Sequence, residues 1–446
     1  MRKRSVTGTD WAGLLVATGL GLTLAMQLTT MRASDLTSVY AVMATVSRFA
    51  ALSGTYCAIV GIFLMARIPW VERGVGHNRL AGWHRNLGPW SLYLIGAHVL
   101  LIVVSFAGLS KVSISKQLQN FLTFYEWMWF ALAGFVLLVI AGITSYKKAR
   151  AKLSYEAWWL IHLFSYSAIA AAFMHQVLNG QVFVGHTLNR AYWTGLYLAM
   201  AGSIIYWRIG VPLIRSLKVN LKVEQVVVEA PGVVSVLMKG HNLDSLQAKG
   251  GQFFHWRFLS KGHFLMSHPF SLSALPTKTH LRITVKDSGD HTKLMSHLPP
   301  GTRVFIEGPF GAFTARRASQ PHVVLIAGGV GITPLRVLLE ELSGGVQLDL
   351  IFRAAKQEDL LLKAELDQLE GDSGGSIRVH YLVGPRRDHP MDAAALQALV
   401  PQIADSDIYM CGPASLLDEV RKAAAEIGVP KSRLHDERFA FHKRFN

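Results

Sequence analysis

Four histidines in two apolar segments are the residues whose type and spacing most clearly indicate chemistry. His84 and His98 lie fourteen residues apart in one segment, and His162 and His175 lie thirteen apart in the other. On a helix these spacings span about 21 Å and about 20 Å, within a hydrocarbon core of roughly 30 Å. Neutral imidazole is an axial ligand of haem iron. The spacing therefore predicts two haems at two depths of a membrane.

The alternative for a lone histidine in an apolar helix is a hydrogen-bonded core residue. Four of them on membrane helices favour ligands, because ionisable residues inside a membrane are costly and usually functional. At about 100° per residue, His98 falls within about 40° of the face of His84, but His175 lies about 140° from that of His162. The second helix must therefore bend or unwind, or its side chains must turn, although neither Gly nor Pro lies between its histidines.

A length of 446 residues suggests two or three domains. The composition indicates a membrane protein rather than a nucleic-acid-binding one. Hydrophobic residues make up 51% of the chain, and the mean hydropathy is +0.29. Residues 1–218 carry 19 Lys and Arg against 5 Asp and Glu, whereas residues 219–446 carry 26 against 24. Because the positive excess lies between apolar segments, it indicates membrane topology. The two cysteines exclude a disulfide framework.

Six apolar segments predict a six-span membrane domain. We expect the first to remain as an uncleaved span, because no clear small-residue cleavage site follows it. The predicted spans are residues 11–28, 39–65, 87–107, 121–145, 156–178 and 191–209.

The basic residues predict how these spans are oriented. They concentrate in the loops at 67–85 and 146–152, at the N-terminus and after the sixth span. The positive-inside rule then places both termini in the cytoplasm, and we expect the inner membrane of a bacterium. His84 and His162 would lie near the cytoplasmic face, with His98 and His175 near the outer one. Depth alone therefore predicts the pairs His84–His162 and His98–His175.

Arg48 lies in the outer half of the second span and has two interpretations. It could be a snorkelling or helix-capping arginine. It could instead supply the counter-charge for the propionates of the outer haem.

The second half of the sequence begins with short alternating strands. They run from Lys218 and are separated by turn residues, a pattern that predicts an antiparallel β-barrel over residues 219–315. The stretch from His268 to Ser271 is one such strand, carrying an aromatic ring and a hydroxyl. Gly289 and Thr292 follow Lys286 at the start of a predicted helix, where small residues favour a pyrophosphate site.

From Pro321 onward, strands alternate with helices, which predicts a parallel sheet with helices on both faces. Gly328, Gly329 and Gly331 form a turn whose amides could approach phosphates, and the helix after Thr333 adds its dipole. The turn is not the strict dinucleotide fingerprint and is weak evidence alone. Cys411 ends another strand, where it could contact a ligand or simply be buried.

Taken together and in this order, the motifs closely resemble those of the ferric reductase and NADPH oxidase superfamily over nearly the whole chain. The resemblance implies a multi-domain protein: a six-span α-helical bundle with two b-type haems in residues 1–215, an FAD-binding antiparallel β-barrel in 219–315, and an α/β parallel-sheet NAD(P)-binding domain in 320–446. The histidine spacings match those of the family's haem helices, which tolerate the angular offset.

The resemblance also implies site residues. The flavin motif corresponds to His268, Pro269, Phe270 and Ser271, with His268 where other flavin reductases usually carry Arg and Ser271 as the catalytic hydroxyl near the reactive edge of the flavin. The flavin phosphates are expected at Lys286, Gly289 and Thr292, and residues 308–311 resemble the turn that closes the barrel. The nicotinamide dinucleotide is expected at Gly328, Gly329, Gly331, Thr333, Pro334, Cys411, Gly412 and Pro413, with Cys411 as a catalytic residue.

The C-terminal segment from His435 resembles the family's flavin-stacking end. We choose Phe441 as the catalytic aromatic, with Phe439 and Phe445 as alternatives. Arg353 follows a predicted strand where it could bind a 2′-phosphate, which favours NADPH over NADH. An exposed strand-end arginine is the alternative, and Arg386 or Arg387 could take the phosphate instead.

The implied activity is transmembrane electron transfer from cytoplasmic NAD(P)H, through FAD and two haems, to an external acceptor, either oxygen with superoxide as product or ferric iron. Because both haems would be six-coordinate, we expect outer-sphere transfer. The alternative is an electron-donating membrane subunit that reduces a quinone or a periplasmic partner protein. Membrane lipid is an expected partner, and nucleic acid is not.

Overall fold

The computed structural model describes residues 8–260 and 267–438. These residues form two compact units that meet in the sequence between Val211 and Pro212. The second unit begins there because Ser216 already belongs to it. The Ser216 hydroxyl donates to the carbonyl oxygen of Ile306 (3.2 Å) and accepts from its amide (2.9 Å).

The first unit is helical, as expected where a backbone in hydrocarbon must satisfy its own hydrogen bonds. Its helices, with the last one continuing into the second unit, are α1 (Gly8–Thr30), α2 (Val39–Leu64), α3 (Pro69–Val75), α4 (His77–Ser110), α5 (Ile114–Phe124), α6 (Met128–Ser145), α7 (Lys147–Arg150), α8 (Tyr155–Asn179), α9 (Thr187–Ser203) and α10 (Val211–Val219).

Six stretches in the described part of the chain are long and apolar enough to cross a membrane, which confirms the predicted number. They are Thr9–Thr30, Val39–Leu64, Arg79–Ser110, Met128–Ser145, Glu156–Asn179 and Thr187–Val219.

The predicted bounds were wrong at three of these spans. The fourth does not begin at Phe121, because Trp127 has a left-handed backbone (φ 61°) that ends α5 and starts α6 separately. The third starts at Arg79 rather than Leu87, and the sixth continues through a π-helical stretch, Ile204–Gly210, into α10. Both were underestimated because polar residues interrupt the apolar pattern without ending the helix.

Glycines bring neighbouring membrane helices into close contact. A Cβ atom on Gly54 of α2 would lie 2.9 Å from Ile95 Cγ1 and 3.0 Å from the Ile95 backbone nitrogen of α4. A Cβ atom on Gly134 of α6 would lie 2.6 Å from the Ala168 carbonyl oxygen of α8. Since real Cβ contacts are longer than this, only glycine permits these two helix pairs to approach so closely.

The second unit begins with two antiparallel sheets. Their strands are β1 (Lys222–Ala230), β2 (Val233–Lys239), β3 (Phe253–Phe258), β4 (His268–Ser271), β5 (His280–Lys286) and β6 (Val304–Phe310). The orders are β1-β2-β5 and β4-β3-β6, and two single bridges, Lys222–Arg303 and Leu272–Ile283, join them. The inner faces share one core that includes Phe254, Trp256 and Ile283. The short helix α11 (Asp290–Lys293) follows β5.

The rest of the unit is a five-stranded parallel sheet flanked by helices, as predicted. Its strands are β7 (His322–Gly328), β8 (Gln347–Ala354), β9 (Ile377–Val383), β10 (Asp407–Gly412) and β11 (Leu434–Arg438), in the order β11-β10-β7-β8-β9. The helices are α12 (Ile332–Leu342), α13 (Lys363–Asp372), α14 (Ala393–Leu399) and α15 (Ala414–Ile427). Every residue of the central strand β7 is buried, because helices cover both faces of the sheet.

A buried carboxylate joins three strands of this sheet. Asp349 on β8 accepts hydrogen bonds from His322 Nε2 of β7 (2.8 Å) and His380 Nε2 of β9 (2.7 Å). Burial raises the pKa of Asp349, but the hydrogen bonds and charges of the two histidines outweigh burial and hold its pKa well below the usual value. The ionised carboxylate is therefore part of the folded sheet.

We expect Asp349→Asn to destabilise the sheet at pH 7 by about 3 kcal/mol, because it removes a buried charge from two donors. A carboxyl group whose pKa is lowered by folding stabilises the protein above its unfolded pKa and loses that effect as pH falls through the folded value. The difference between variant and wild type should therefore shrink below about pH 4. Hydrogen exchange of the β7 and β8 amides measures it, with the exposed Asp372→Asn as control. Equal protection in Asp349→Asn and wild type at pH 7 would contradict the expectation.

Candidate functional site

The structure brings the four histidines together as two pairs. The rings of His84 on α4 and His162 on α8 have centroids 5.9 Å apart, at an interplanar angle of 85°. His98 and His175 are close enough to interact electrostatically. Two imidazoles that share a metal ion through bonds of about 2.0–2.1 Å have centroids roughly 6 Å apart, so the first pair has the required separation.

The donors around each pair fit haem rather than a protein-only metal site. Within the described ranges, no group of three or more His, Cys, Asp or Glu side chains is arranged to hold a metal ion. Each pair therefore offers two imidazoles that face each other, which is the ligand set that a bis-histidine haem takes from a protein. A porphyrin supplies four nitrogens and leaves the two axial positions for histidine.

Hydrogen bonds from α2 determine which ring nitrogen is free in the two histidines of α4. His84 Nδ1 lies 2.9 Å from the carbonyl oxygen of Gly61, which can only accept, so Nδ1 carries the proton. The Ser47 hydroxyl donates to the His98 carbonyl (3.0 Å), so His98 Nδ1 must be the donor to Ser47 Oγ (2.8 Å). In both rings Nε2 is left with the lone pair, which is the form of imidazole that can bind a metal.

The two partners on α2 have the same spacing as the two histidines on α4. Ser47 and Gly61 are fourteen residues apart, as are His84 and His98. Gly61 contacts His84 and Ser47 contacts His98, so helices α2 and α4 run in opposite directions. Gly54, which packs against Ile95 of α4, lies midway between the two partners. The antiparallel α2–α4 contact thus holds both imidazoles.

On α8 the angular offset is accommodated without a break. The helix is continuous from Tyr155 to Asn179, so it neither unwinds nor ends between its histidines. His162 Nδ1 lies 3.3 Å from the hydroxyl of Ser145 on α6. His175 Nδ1 is buried beside the backbone of Ala172 in its own helix. Side-chain direction therefore brings the two histidines to their partners.

Arg48 is paired with an acid that the sequence did not single out. Its Nη1 lies 3.5 Å from Asp35 Oδ1, while Asp35 Oδ2 accepts from the Arg32 amide (2.9 Å) and from Gln181 Nε2 (3.4 Å). Burial by itself raises the pKa of Asp35, but the hydrogen bond from the Arg32 amide and the charge of Arg48 outweigh it. The net pKa is therefore lowered, and the carboxylate is ionised. A role of Arg48 toward a propionate stays a prediction.

The expected flavin motif forms β4, paired with β3. Ser271 is buried opposite Phe253, and the backbone carbonyl of Phe270 accepts a hydrogen bond from Trp256 Nε1 (2.9 Å). The His268 and Phe270 rings stack with centroids 6.2 Å apart. Pro269 is exposed between them. The strand is thus fixed by its backbone, and it leaves Pro269 accessible.

The expected phosphate residues follow β5. Lys286 is exposed at the end of the strand, and a Cβ atom on Gly289 would meet nothing within 4 Å. The Thr292 hydroxyl accepts from the amides of Ser288 (2.7 Å) and Gly289 (3.0 Å). Helix α11 has only four residues. Open space and a cation are therefore present, while Thr292 shapes the turn.

The three glycines of the turn after β7 have different roles. A Cβ atom on Gly331 would overlap the carbonyl oxygen of Cys411, and one on Gly328 would lie 2.9 Å from Pro413 Cδ. Both glycines therefore pack against the end of β10. Gly329 has a left-handed backbone (φ 56°) and open space around it. It alone of the three has room for a ligand beside its backbone.

The remaining residues of this turn are buried. Thr333 donates to the Val330 carbonyl (3.0 Å), and Pro334 lies in the first turn of α12, which begins at Ile332. On the neighbouring strand, Gly412 lies against Gly328. A Cβ atom added to Gly412 would lie 3.1 Å from the Cα atom of Gly328. The two strand ends are thus in direct backbone contact.

Cys411 is fully buried in the hydrophobic core of the sheet. Burial raises the pKa of its thiol well above the usual value, and the nearby carboxylates of Glu437 and Asp436 add to this. Glu437 is the register partner of Cys411 on β11, and burial raises the pKa of its carboxyl to about 7. The geometry gives the thiol a packing contact, and contact with a nicotinamide stays a prediction. Phe441 lies outside the described residues.

Arg353 lies at the carboxyl end of β8. Its Nη1 donates to the carbonyl oxygens of Ala354 (2.8 Å) and Leu382 (3.0 Å). Burial and the positive charge of Arg386 lower the pKa of its guanidinium. Arg386 contacts Glu419 (3.4 Å), and Arg387 is exposed. The carboxylates of Glu419 and Asp388 lie among these arginines, and Asp388 pairs with Arg387. A role of Arg353 toward a phosphate stays a prediction.

An ion-pair network connects the antiparallel sheets to the parallel one. Arg282 on β5 makes two bonds to the carboxylate of Glu365 on α13 (2.6 and 2.8 Å), and Arg336 on α12 contacts the same carboxylate (2.8 Å). Bidentate Arg–carboxylate pairs restrict orientation as well as distance. The network therefore fixes the two parts of the second unit against each other.

Three family models match the chain in sequence order. Residues 50–173 match a ferric reductase like transmembrane component, residues 218–314 an FAD-binding domain, and residues 325–422 an oxidoreductase NAD-binding domain. Together and in this order, they match the domain architecture of the ferric reductase and NADPH oxidase superfamily. The chain thus combines a ferric reductase like membrane component with an FAD-binding domain and an oxidoreductase NAD-binding domain.

Curated relatives match part of this chain. They include NADH-cytochrome b5 reductase 1 of Pyricularia oryzae, 32% identical over 39% of this chain and 61% of that protein. Ferredoxin–NADP reductase B of Sorangium cellulosum is 28% identical over 38% of this chain and 77% of that protein. The flavohemoprotein of Halalkalibacterium halodurans is 28% identical over 47% and 57%. The chain spans less than two thirds of the first of these relatives.

Solved structures also align with half of the chain. The FAD/NAD-binding domain of a nitric oxide dioxygenase from Vibrio cholerae covers 50% of this chain and 99% of its own, with 24% identity and a TM-score of 0.42. A ferredoxin NADP+ reductase from Neisseria gonorrhoeae, with bound FAD and NADP, covers 50% and 98%, with 16% identity and a TM-score of 0.43.

Several residues around the site were not found from the sequence. Ser47, Gly61 and Ser145 are unremarkable small residues, and only the helix contacts show that they face histidines. Asp35 lies in a short loop between spans and carried one signal, since few acids occur in residues 1–218. Glu437 lies in the mostly polar stretch His435–Arg438, where the sequence gives no sign that the carboxyl is buried.

We expect Gly331→Ala to destabilise the parallel sheet by about 3 kcal/mol, because its methyl group would overlap the Cys411 carbonyl in a packed core. Gly329→Ala should cost only about 1 kcal/mol, the strain of a left-handed alanine, but should weaken NADPH binding. Equilibrium unfolding and NADPH titration of the two variants measure these effects. Equal losses of stability would show that the two glycines do not differ as the contacts indicate.

Proposed function

We propose that this protein carries electrons across a membrane, from NAD(P)H through FAD and two b-type haems to an acceptor on the opposite side. The observation that carries the proposal is the pairing of four imidazoles on α4 and α8. Three of them lie in the region matched by the ferric reductase like component, and His175 lies two residues beyond it. In His84 and His98 the hydrogen bonds leave Nε2 as the nitrogen with the lone pair. The same chain supplies the FAD-binding and NAD-binding domains.

His84 with His162 would hold one haem, and His98 with His175 the other. The chain's own contribution is orientation, because Gly61 and Ser47 fix the proton on Nδ1 of the α4 histidines. Arg48, positioned by Asp35, would neutralise a propionate of the outer haem. When bound, flavin accepts a hydride and releases electrons singly, and haem iron carries single electrons.

In the reductase part, the β4 strand would hold the flavin. The flavin ring would be lined by His268, Pro269, Phe270 and Ser271, and Phe441 would stack on the ring. The flavin phosphates would be held by Lys286 and by the turn at Gly289 and Thr292. The two antiparallel sheets would close into a barrel. Gly329 and the helix start at Thr333 and Pro334 would hold the dinucleotide, with Cys411, Gly412 and Pro413 at its nicotinamide side. The domain limits we propose are 1–215, 219–315 and 320–446.

The basic loops support an orientation with both termini in the cytoplasm, in the inner membrane of a bacterium. Because each proposed haem has two histidine ligands, the acceptor would receive electrons without binding iron.

Anaerobic reduction of the purified, FAD-supplemented protein with NADPH tests the route. Air and a ferric chelate are then added in separate cuvettes. Haem bands that do not reduce would contradict the proposal. The faster reoxidant identifies the acceptor class, and slow reoxidation by both points to a quinone or a protein.

We expect His98→Ala to lower the haem content from two to one per chain, because one axial ligand of the outer haem is lost. Reduction of FAD by NADPH should be unchanged, and reduction of the external acceptor should stop. The haem content is measured as the pyridine complex, and the flavin by its absorbance. His186→Ala, an exposed histidine at the start of α9, is the matched control. A haem content of two in His98→Ala would remove His98 from the ligand set.

We expect Arg353→Gln to raise the KM for NADPH about tenfold more than the KM for NADH, because a charge-assisted bond to the 2′-phosphate contributes at least about 1.5 kcal/mol. Glutamine keeps an N–H donor for the carbonyl oxygens that Arg353 contacts. Steady-state kinetics with both nucleotides measure the ratio, with the exposed Arg378→Gln on β9 as control. An equal rise for both nucleotides would assign the phosphate to other residues.

A further inference from the structure

Trp158 and Ser145 contact His162 near the ends of the membrane helices, and Arg150 contacts Trp158. Trp158 lies one helical turn before His162 on α8, and residues four apart face each other on a helix. The two rings are stacked, with centroids 5.2 Å apart and an interplanar angle of 20°. The guanidinium carbon of Arg150 lies over the Trp158 ring, 4.6 Å from its centroid. The indole is therefore held between its own helix and a neighbouring cation.

The same indole is connected to the imidazole by a hydroxyl. Trp158 Nε1 can only donate, and it donates to Ser145 Oγ at 3.1 Å. His162 Nδ1 lies 3.3 Å from that oxygen. Ser145 is the last residue of α6, so the hydroxyl comes from a different helix. Trp158 and Ser145 thus restrain both the plane and the Nδ1 edge of the imidazole.

We propose that Ser145 and Trp158 position the imidazole of His162 and tune the haem that it would hold. The inference rests on the proposed function, in which His162 is an axial ligand. A ligand bound through Nε2 has its proton on Nδ1, and the Ser145 oxygen, with two lone pairs, accepts from both Nδ1 and the indole. Trp158 keeps the ring in one plane by stacking. Neither side chain touches iron, so both are positioning residues.

This arrangement differs from that of the other histidine of the pair. His84 Nδ1 is bonded to a backbone carbonyl, which no side-chain substitution removes. The contacts of His162 with Ser145 and Trp158 are both made by side chains. Substitution of a side chain can therefore change the Nδ1 contact of His162 but cannot remove that of His84. Donation from Nδ1 makes an imidazole more basic, which stabilises ferric iron and lowers the midpoint potential.

The test is a redox titration of the full-length, haem-loaded protein, followed by the haem absorbance, with low-spin EPR of the oxidised form. Ser145→Ala should raise the midpoint potential of one of the two haems and leave the other unchanged. Ser145→Thr restores the hydroxyl and should return the wild-type value. Trp158→Ala should broaden the EPR signal of the same haem, because the imidazole plane is no longer fixed, and Trp158→Phe, which keeps the ring, should preserve its shape.

Ser110→Ala is the matched control, since Ser110 is also the exposed last residue of a membrane helix. Titration in the His98→Ala background assigns the shifted potential to the remaining haem. Unchanged potentials and EPR signals in Ser145→Ala and Trp158→Ala, with haem content intact, would overturn the inference. Loss of one haem from Ser145→Ala and also from Ser145→Thr would do so too, because a packing role would then explain it. Absence of haem from the wild-type protein would instead refute the proposed function.

Discussion

The α2–α4 contact is the constraint on which the membrane unit depends. An imidazole binds iron through a ring nitrogen that keeps its lone pair, and an acceptor beside the other nitrogen fixes the proton there. For His84 and His98 that acceptor comes from α2, and the two helices must approach closely for it to reach. Gly54 permits the approach, and the fourteen-residue spacing on both antiparallel helices places Gly61 and Ser47 opposite the two histidines.

The second pair of helices solves the same problem differently. On α6 and α8, Gly134 allows close contact with the Ala168 backbone. The polar contacts to His162 come from side chains, Ser145 and Trp158, near the ends of these helices. A side-chain partner can change during evolution without moving a helix, whereas a backbone partner cannot. The two ligands of one proposed haem therefore combine a fixed side with an adjustable one.

The second unit depends on close backbone packing in a comparable way. Gly328 and Gly331 bring the turn after β7 against the end of β10, and the ion pairs of Glu365 fix the antiparallel sheets to the parallel one. Hydride transfer requires the nicotinamide and the flavin to be placed to a fraction of an ångström. A rigid turn and a bidentate contact between the two parts are the means by which a fold achieves such precision.

The sequence by itself determined the order of domains, the six spans and most strands of the parallel sheet, because apolar runs and strand–turn–helix patterns are local. The histidine pairing also followed from depth along two helices. Helix ends were less certain: Trp127 divides the fourth predicted span through its backbone conformation, and a pattern of apolar residues carries no signal for that.

Only the tertiary structure decided which small residues serve the site. Ser47, Gly61 and Ser145 are distant in sequence from the histidines that they contact, so their roles exist only once the helices are packed. The sequence predicted one role for the glycines of the turn after β7, the approach of a phosphate to their amides. In the structure Gly328 and Gly331 instead pack against the end of β10, which is formed by residues some eighty positions later. Local patterns specify elements, whereas hydrogen-bond partners and clashes depend on distances between elements.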